Sequence, residues 1–278
     1  MNKIKLSPIV KWAGGKRQIL SYLLDNMPKK YRHYYEPFVG GGALLMSLHP
    51  NHATINDSNK DLICIYKCLR SKRLFKLFYK TCKEHEANHN EDYYYLIRDM
   101  DKKKGYKKYP VYIKAARCVY LNKACFNGLY RVNSKGQFNV PSGKYEKVSC
   151  FDDNNIHELH KYFSKKKPVI LCEDFEKAIR TAKKSDFVYF DPPYDSIKEQ
   201  SFISYTADGF DKKEQIRLKE VCDRLTKLGV YVMVSNANTA FINDLYKDYK
   251  IKVIEAKRSI NSKADGRGKV EEVIITNY

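Results

Sequence analysis

The chain has 278 residues, of which 43% are hydrophobic and 30% charged, proportions that fit one globular unit or two closely joined ones with ample core. Its 52 Lys and Arg against 32 Asp and Glu leave a net charge of +20, which points to a polyanionic partner without separating DNA from RNA. No apolar run approaches the ~18 residues of a membrane span, the first residues lack a signal-peptide core, and the eight cysteines show no paired short spacing; these features predict a cytoplasmic protein with reduced thiols.

In chain order, the first stretch with chemical content is Lys11-Trp12-Ala13-Gly14-Gly15-Lys16, ahead of an amphipathic run from Ile19 to Leu24. It fails the P-loop pattern, because Val10 stands where the first glycine belongs and Arg17 follows the lysine. Small residues between an aromatic and a lysine suit an adenosyl or carboxylate-bearing ligand; a surface turn before a helix is the alternative. Next, Tyr34 to Leu45 reads as strand, glycine turn and helix, with Gly40, Gly41 and Gly42 at the turn. Glycines let a ligand approach the backbone, and a helix N-terminus favours its anionic part. Ala53 to Asp57 reads as a second strand ending in an acid, a position suited to accepting ribose hydroxyls.

From Lys60 to about Ser164 helical periodicity takes over, with expected helices at Leu62–Leu69, Leu74–Cys82, Tyr93–Met100 and Val111–Cys125. His85-Glu86-Ala87-Asn88-His89 matches a zinc-protease pattern, but its polar continuation Asn90-Glu91-Asp92 and the lack of a third ligand argue against a metal site. Phe126 to Pro141 predicts a β-hairpin turning at Ser134 to Gly136. Arginine, asparagine, lysine and aromatics on one ribbon fit a groove-reading element, with a solvated structural hairpin as the alternative.

The α/β pattern returns with a strand at Pro168–Cys172, then Glu173-Asp174-Phe175, and a helix expected over Ala178–Lys184. Phe187 to Phe190 is a buried strand that must stop at Asp191, because Pro192 and Pro193 cannot continue a ladder. A helix at Lys212–Leu228, a strand at Val230–Val234, a helix at Phe241–Tyr246 and a closing pair at Ile251–Ala256 and Val270–Thr276 follow. Lys257, Arg258, Lys263, Arg267 and Lys269 make the loop of that pair basic. The whole predicts an α/β core interrupted by a helical-plus-hairpin insertion.

Asp191-Pro192-Pro193-Tyr194 sits where open α/β sheets bind ligands, at the carboxyl end of a strand. The exocyclic amine of adenine is a poor nucleophile, since its lone pair is delocalised into the ring. Acceptors on both its hydrogens favour the localised, pyramidal form. The Asp191 carboxylate and the Pro192 carbonyl are two such acceptors, and Tyr194 offers a face for a base to stack on.

The order KWAGGK, PFVGGGALL, NDSN, insertion, EDF and DPPY strongly resembles the Dam-type DNA N6-adenine methyltransferases, over nearly the full chain from Lys11. Among them it is most like GATC-specific methylases of Dpn-type restriction–modification systems. The resemblance implies a Rossmann-like S-adenosylmethionine-dependent sheet, with residues 1–59 and 165–278 as catalytic core and 60–164 as target-recognition domain. It implies Asp191, Pro192, Pro193 and Tyr194 as the catalytic set, and a cofactor pocket of Trp12, Lys16, Phe38, Gly40, Asp57, Asp174, Phe175 and Asp191. In that pocket Lys16 would meet the methionine carboxylate, Asp57 the ribose and Phe175 the adenine.

On the DNA side, Arg131 would read a guanine, Leu129 and Pro141 a thymine methyl, and Lys11 and Tyr145 the first guanine. Phe126 and Asn127 would fill the gap left by a flipped adenine. Lys144 stands where the family usually has arginine, and Asp195 to Gln200 depart from the family's proline and Ser-x-Thr-Ala stretch. Double-stranded DNA is the expected partner, with no metal and no membrane, and the resemblance leaves room for a cognate restriction endonuclease encoded nearby. It further implies a monomer acting on the nucleoid. Methylation of another amine (cytosine N4 or RNA adenine) and a silent DNA-binding protein are the alternatives.

Overall fold

The computed structural model describes residues 6–12, 14–16, 18–195, 210–257 and 269–278. In chain order the elements are α1 (Leu20–Asp25), β1 (Tyr34–Glu36), α2 (Ala43–Leu48), β2 (Ala53–Asn56), α3 (Lys60–Arg70), α4 (Lys72–Ala87), α5 (Glu91–Arg98) and α6 (Val111–Ala124). They continue with α7 (Asp153–Lys166), β3 (Val169–Leu171), α8 (Phe175–Ala178), β4 (Phe187–Phe190), α9 (Lys212–Lys227), β5 (Tyr231–Ala237), α10 (Ala240–Leu245), β6 (Lys250–Lys257) and β7 (Lys269–Thr276).

One seven-stranded sheet has the order β3-β2-β1-β4-β5-β7-β6. The β1–β2, β2–β3, β1–β4 and β4–β5 pairs are parallel, whereas β7 runs antiparallel to both β5 and β6. Chain order reverses direction between β1 and β4, so the carboxyl ends of these two strands flank the crevice in which doubly wound sheets bind ligands. This is the α/β architecture of S-adenosylmethionine-dependent methyltransferases, as the motif order implied.

Strand residues alternate between two apolar layers. Tyr34, Ile55, Phe187, Tyr189 and Met233 join a core that includes Leu23, Leu44 and Leu45, while Tyr35, Val188, Phe190, Val232 and Val234 pack with Leu218, Val221, Leu225 and Ile242 on the other face. Burial on both sides explains why β4 reads as the unbroken apolar run Phe-Val-Tyr-Phe. The first layer continues without a break into the helical insertion: Leu62, Phe78, Tyr94, Val119 and Phe163 belong to the same cluster as the sheet residues.

Side-chain caps start many of these helices: Asn59 accepts from Leu62 N, Ser71 from Leu74 N, Asn90 from Tyr93 N, Asp152 from Asn155 N and Asp211 from Glu214 N. Among the described residues no helix is long and apolar enough to cross a membrane.

Two expected elements differ. Helix α8 occupies Phe175–Ala178, not Ala178–Lys184. The Asp174 carboxylate caps it early by accepting from Glu176 N, and the Asp186 carboxylate takes Lys183 N, drawing the later residues into turns before β4. The hairpin is an irregular ribbon rather than two strands. A 3-10 turn at Phe126–Gly128 opens it, with Asn127 at φ 56° and Gly128 at φ 66°. Isolated bridges then join Cys125 to Ser142 and Val132 to Phe138. Its tip is built by Asn133, whose Oδ1 accepts from Lys135 N and Gln137 N. Arg258, Lys263 and Arg267 of the basic loop, and Ser196 to Gln200 beyond the DPPY stretch, lie outside the described residues.

Candidate active site at the switch point of the sheet

Asp191 is the residue that follows β4, and two groups meet one of its oxygens. Lys16 Nζ lies 2.8 Å from Oδ1, and Ser235 Oγ donates to the same oxygen at 2.9 Å. Burial raises the Asp191 pKa above the ordinary carboxylate value, while Lys16 and Ser235 pull in the opposite direction. Lys16 is itself buried, donates to the Gly14 carbonyl and lies 4.5 Å from the centre of the Tyr194 ring. Tyr194 is fixed at its far end, where its hydroxyl donates to Glu272 Oε2 at 2.8 Å.

The turn beyond Asp191 is tied from β5 and α9. Buried Gln215 donates to the Pro193 carbonyl at 2.9 Å, and Asn236 Oδ1 accepts from Asp195 N at 3.0 Å. Asn236 and Gln215 are bonded to each other, so one buried network holds the segment at both ends.

The neighbouring crevice is lined by Trp12, Lys16, Glu36, Gly40, Gly42 and Asp191. Gly40 has φ +47°, and a Cβ there would stand 2.9 Å from Trp12 Cδ1; at Gly42, φ is +73° and a Cβ would fall 2.8 Å from the Tyr66 hydroxyl. Asp57 braces this loop, its carboxylate accepting from Gly40 N at 3.0 Å and Asn59 N at 2.9 Å. Burial pushes its pKa up to about 6 against those two bonds.

Glu36, the last residue of β1, is almost fully buried and accepts from the Tyr34 hydroxyl at 2.8 Å. Burial pushes its pKa up to about 8; the Tyr34 bond lowers it, nearby Asp191 raises it further, and Lys16 lowers it again. On the second face Phe38 packs against Phe175 with ring centroids 5.3 Å apart, and Arg217 covers the Phe175 ring at 4.2 Å while pairing with Asp174 at 2.8 Å.

The ribbon adjoins this centre. Trp12 and Tyr130 rings lie 4.7 Å apart, and the Asn122 side chain accepts from Lys11 N and donates to the carbonyls of Lys11 and Gly128. Phe126, Asn127, Arg131, Pro141, Lys144, Tyr145 and Lys11 are exposed, and Leu129 is half-buried against the core. Arg131 is already oriented, with Nε on Asn139 Oδ1 at 2.8 Å.

The zinc-like pattern is dispersed among other contacts. Helix α4 ends at Ala87, so His85 and His89 do not share a helical face. His85 meets the Tyr93 hydroxyl, His89 that of Tyr120, and Glu86 accepts from Cys150 N.

The structure therefore brings together Trp12, Lys16, Gly40, Asp191 and Tyr194. Sequence reasoning missed Glu36, Gln215, Ser235 and Glu272. Only Glu36 carried a signal, as an acid ending an otherwise apolar strand.

A buried lysine–carboxylate pair beside a tyrosine ring, a crevice lined by glycines and an exposed basic ribbon thus adjoin one another at the carboxyl end of the sheet. Comparison with known proteins names the class. Residues 12–260 match the family described as D12 class N6 adenine-specific DNA methyltransferase, and the chain belongs to that family. It is 43% identical to the type II methyltransferase M1.LlaDCHI of Lactococcus lactis subsp. cremoris, over 100% of this chain and 97% of that one. It is 39% identical to the type II methyltransferase M.MjaIII of Methanocaldococcus jannaschii, over 99% and 100%. It is 31% identical to a DNA adenine methylase of Haemophilus influenzae, over 98% and 94%.

Proposed function

We propose that this adenine-specific DNA methyltransferase uses S-adenosylmethionine to methylate N6 of an adenine flipped out of duplex DNA, within GATC. The observation that carries the reading is the Lys16–Asp191–Tyr194 cluster at the switch point of the sheet. S-adenosylmethionine supplies a methyl group on a sulfonium, an electrophile that is already activated. The residues present suit it. Lys16 offers a cation for a carboxylate, Glu36 a carboxyl group that can hydrogen-bond an ammonium, and Gly40 and Gly42 let the loop close against Trp12 and Tyr66 beside the crevice. Phe38 and Phe175 add apolar faces, Asp174 an acid beside them, and Asp57 keeps lone pairs beyond its two backbone bonds.

Asp191 accepts one hydrogen of the target amine and the Pro192 carbonyl the other, since the Pro193 carbonyl is held by Gln215. Tyr194 stacks on the extruded base. The protein acts by positioning and by electrostatics, holding the amine in line with the methyl.

The segment 60–164 serves target recognition in this reading, with the ribbon as its reading edge. Arg131 takes a guanine, Leu129 and Pro141 the thymine methyl, Lys11 and Tyr145 the first guanine, and Lys144 a single unforked contact. Phe126 and Asn127 occupy the space of the flipped adenine. A cognate endonuclease as genetic partner belongs to the same proposal.

The test is transfer of labelled methyl from S-adenosylmethionine into a duplex with one GATC, beside duplexes changed at each base and an RNA control. N6-methyladenine in the intact site alone is the expected product. Labelling of a different site would discard the ribbon assignments, and no labelling would discard the cofactor.

A further inference from the structure

We propose that Ser235 is the positioning residue that makes the two oxygens of Asp191 unequal, turning one of them to the target amine. The inference rests on the reading of Asp191 as amine acceptor. β4 and β5 pair in parallel with Phe190 opposite Val234, so Ser235 falls opposite Asp191, one step further on. Ser235 is fully buried, and its hydroxyl lies between Asp191 Oδ1 at 2.9 Å and the Tyr189 hydroxyl at 2.8 Å. A serine hydroxyl has one proton. Given to Asp191, it obliges Ser235 to accept from Tyr189, so the chain runs from core to site as Tyr189 to Ser235 to Asp191. Tyr189 and Ser235 are both buried, where each bond polarises the next.

Lys16 Nζ binds the same Oδ1 at 2.8 Å. Oδ1 therefore has both of its acceptor positions filled, and among the described residues Oδ2 has no hydrogen-bond partner. A carboxylate held this way cannot rotate freely about its Cβ–Cγ bond. It presents one oxygen, in one direction, to an amine hydrogen. Serine suits the task, since it supplies a short neutral donor where a second cation would bind the carboxylate too strongly for it to accept well.

The experiment compares wild type with Ser235→Ala, Ser235→Thr and Tyr189→Phe. It measures single-turnover methylation of a GATC duplex across pH, with affinities for S-adenosylmethionine and duplex DNA. Loss of one hydrogen bond to a charged group predicts a rate about 10–100-fold lower in Ser235→Ala, with both affinities within about threefold of wild type. Its acid limb moves to higher pH, because Asp191 loses a bond that favours ionisation. Ser235→Thr, which keeps the hydroxyl, restores most of the rate, and Tyr189→Phe is intermediate. Should Ser235→Ala not fold, Tyr189→Phe, which removes one oxygen only, carries the same comparison. A folded Ser235→Ala or Tyr189→Phe with wild-type rate and limb overturns the assignment, as does a Thr variant as slow as Ala. A wild type that transfers no methyl overturns the reading of Asp191 itself, which is a different outcome.

Discussion

Glu36→Gln separates the electrostatics of the buried acid from its shape, because glutamine is nearly isosteric with a protonated glutamate. The acid has a pKa of about 8 in the folded chain against an ordinary 4.5, so near neutrality it is mostly protonated when folded and ionised when unfolded. An acid raised in this way destabilises the fold progressively as pH rises between the two values. The slope approaches ~1.4 kcal/mol per pH unit, and between pH 5.5 and 7.5 the raised pKa predicts a loss of about 2–3 kcal/mol that Glu36→Gln does not suffer. Asp57 and Asp191 titrate in both proteins and largely cancel in the difference. Urea unfolding of each protein at half-unit pH steps, followed by far-UV circular dichroism, yields the two curves. The variant gains on wild type steadily with pH. Parallel curves would refute the claim that Glu36 is held protonated by burial.

Asp191→Ala is expected to lower single-turnover methylation by about 100–1000-fold or more while gel-shift affinity for duplex DNA persists. Arg131→Ala is expected to relax discrimination at one base pair by about 1–3 kcal/mol, read from rates on cognate and single-substituted sites; Asn139→Ala, which frees the guanidinium, weakens the same discrimination less. Gly42→Ala forces a Cβ toward the Tyr66 hydroxyl, whose bond to the Gly40 carbonyl must shift, so stability falls by about 1–3 kcal/mol in urea. Lys16→Met removes the cation that opposes protonation of Asp191, so the acid limb of the pH–rate profile moves to higher pH, and an unmoved limb would place their coupling elsewhere.

Much of the fold was legible because its signals are local. Phe187 to Phe190 could be read as a strand ending at Asp191, since burial on both faces selects apolar residues and two prolines stop a ladder. The turns were less legible. Helix α8 begins at Phe175 because the Asp174 side chain caps it, and a cap is a choice between neighbouring polar residues that periodicity does not register. The ribbon was misjudged in regularity: Asn127 at φ 56° breaks the strand, and Asn133 substitutes side-chain bonds for ladder bonds. Within the site, Lys16 and Asp191 each stand in a compact motif. Glu36, Ser235 and Glu272 act through partners brought near by the order of strands, and no spacing along the chain encodes that. Gln215 belongs to a helix whose amphipathic pattern predicted only burial.

The continuity of one apolar core from the sheet into the helical insertion bears on how such an enzyme changes its target. A recognition module joined by a linker can be exchanged whole. Here, removing the insertion would strip Leu62, Val119 and Phe163 from the layer that supports β1 and β4, and with it the footing of Asp191. If the ribbon is the reading edge, as proposed above, retargeting proceeds by point changes on its exposed side, where Arg131 and Pro141 face solvent and a substitution costs the core nothing. On that reading specificity drifts one side chain at a time, with the helices behind the ribbon held fixed by the core they share with the sheet.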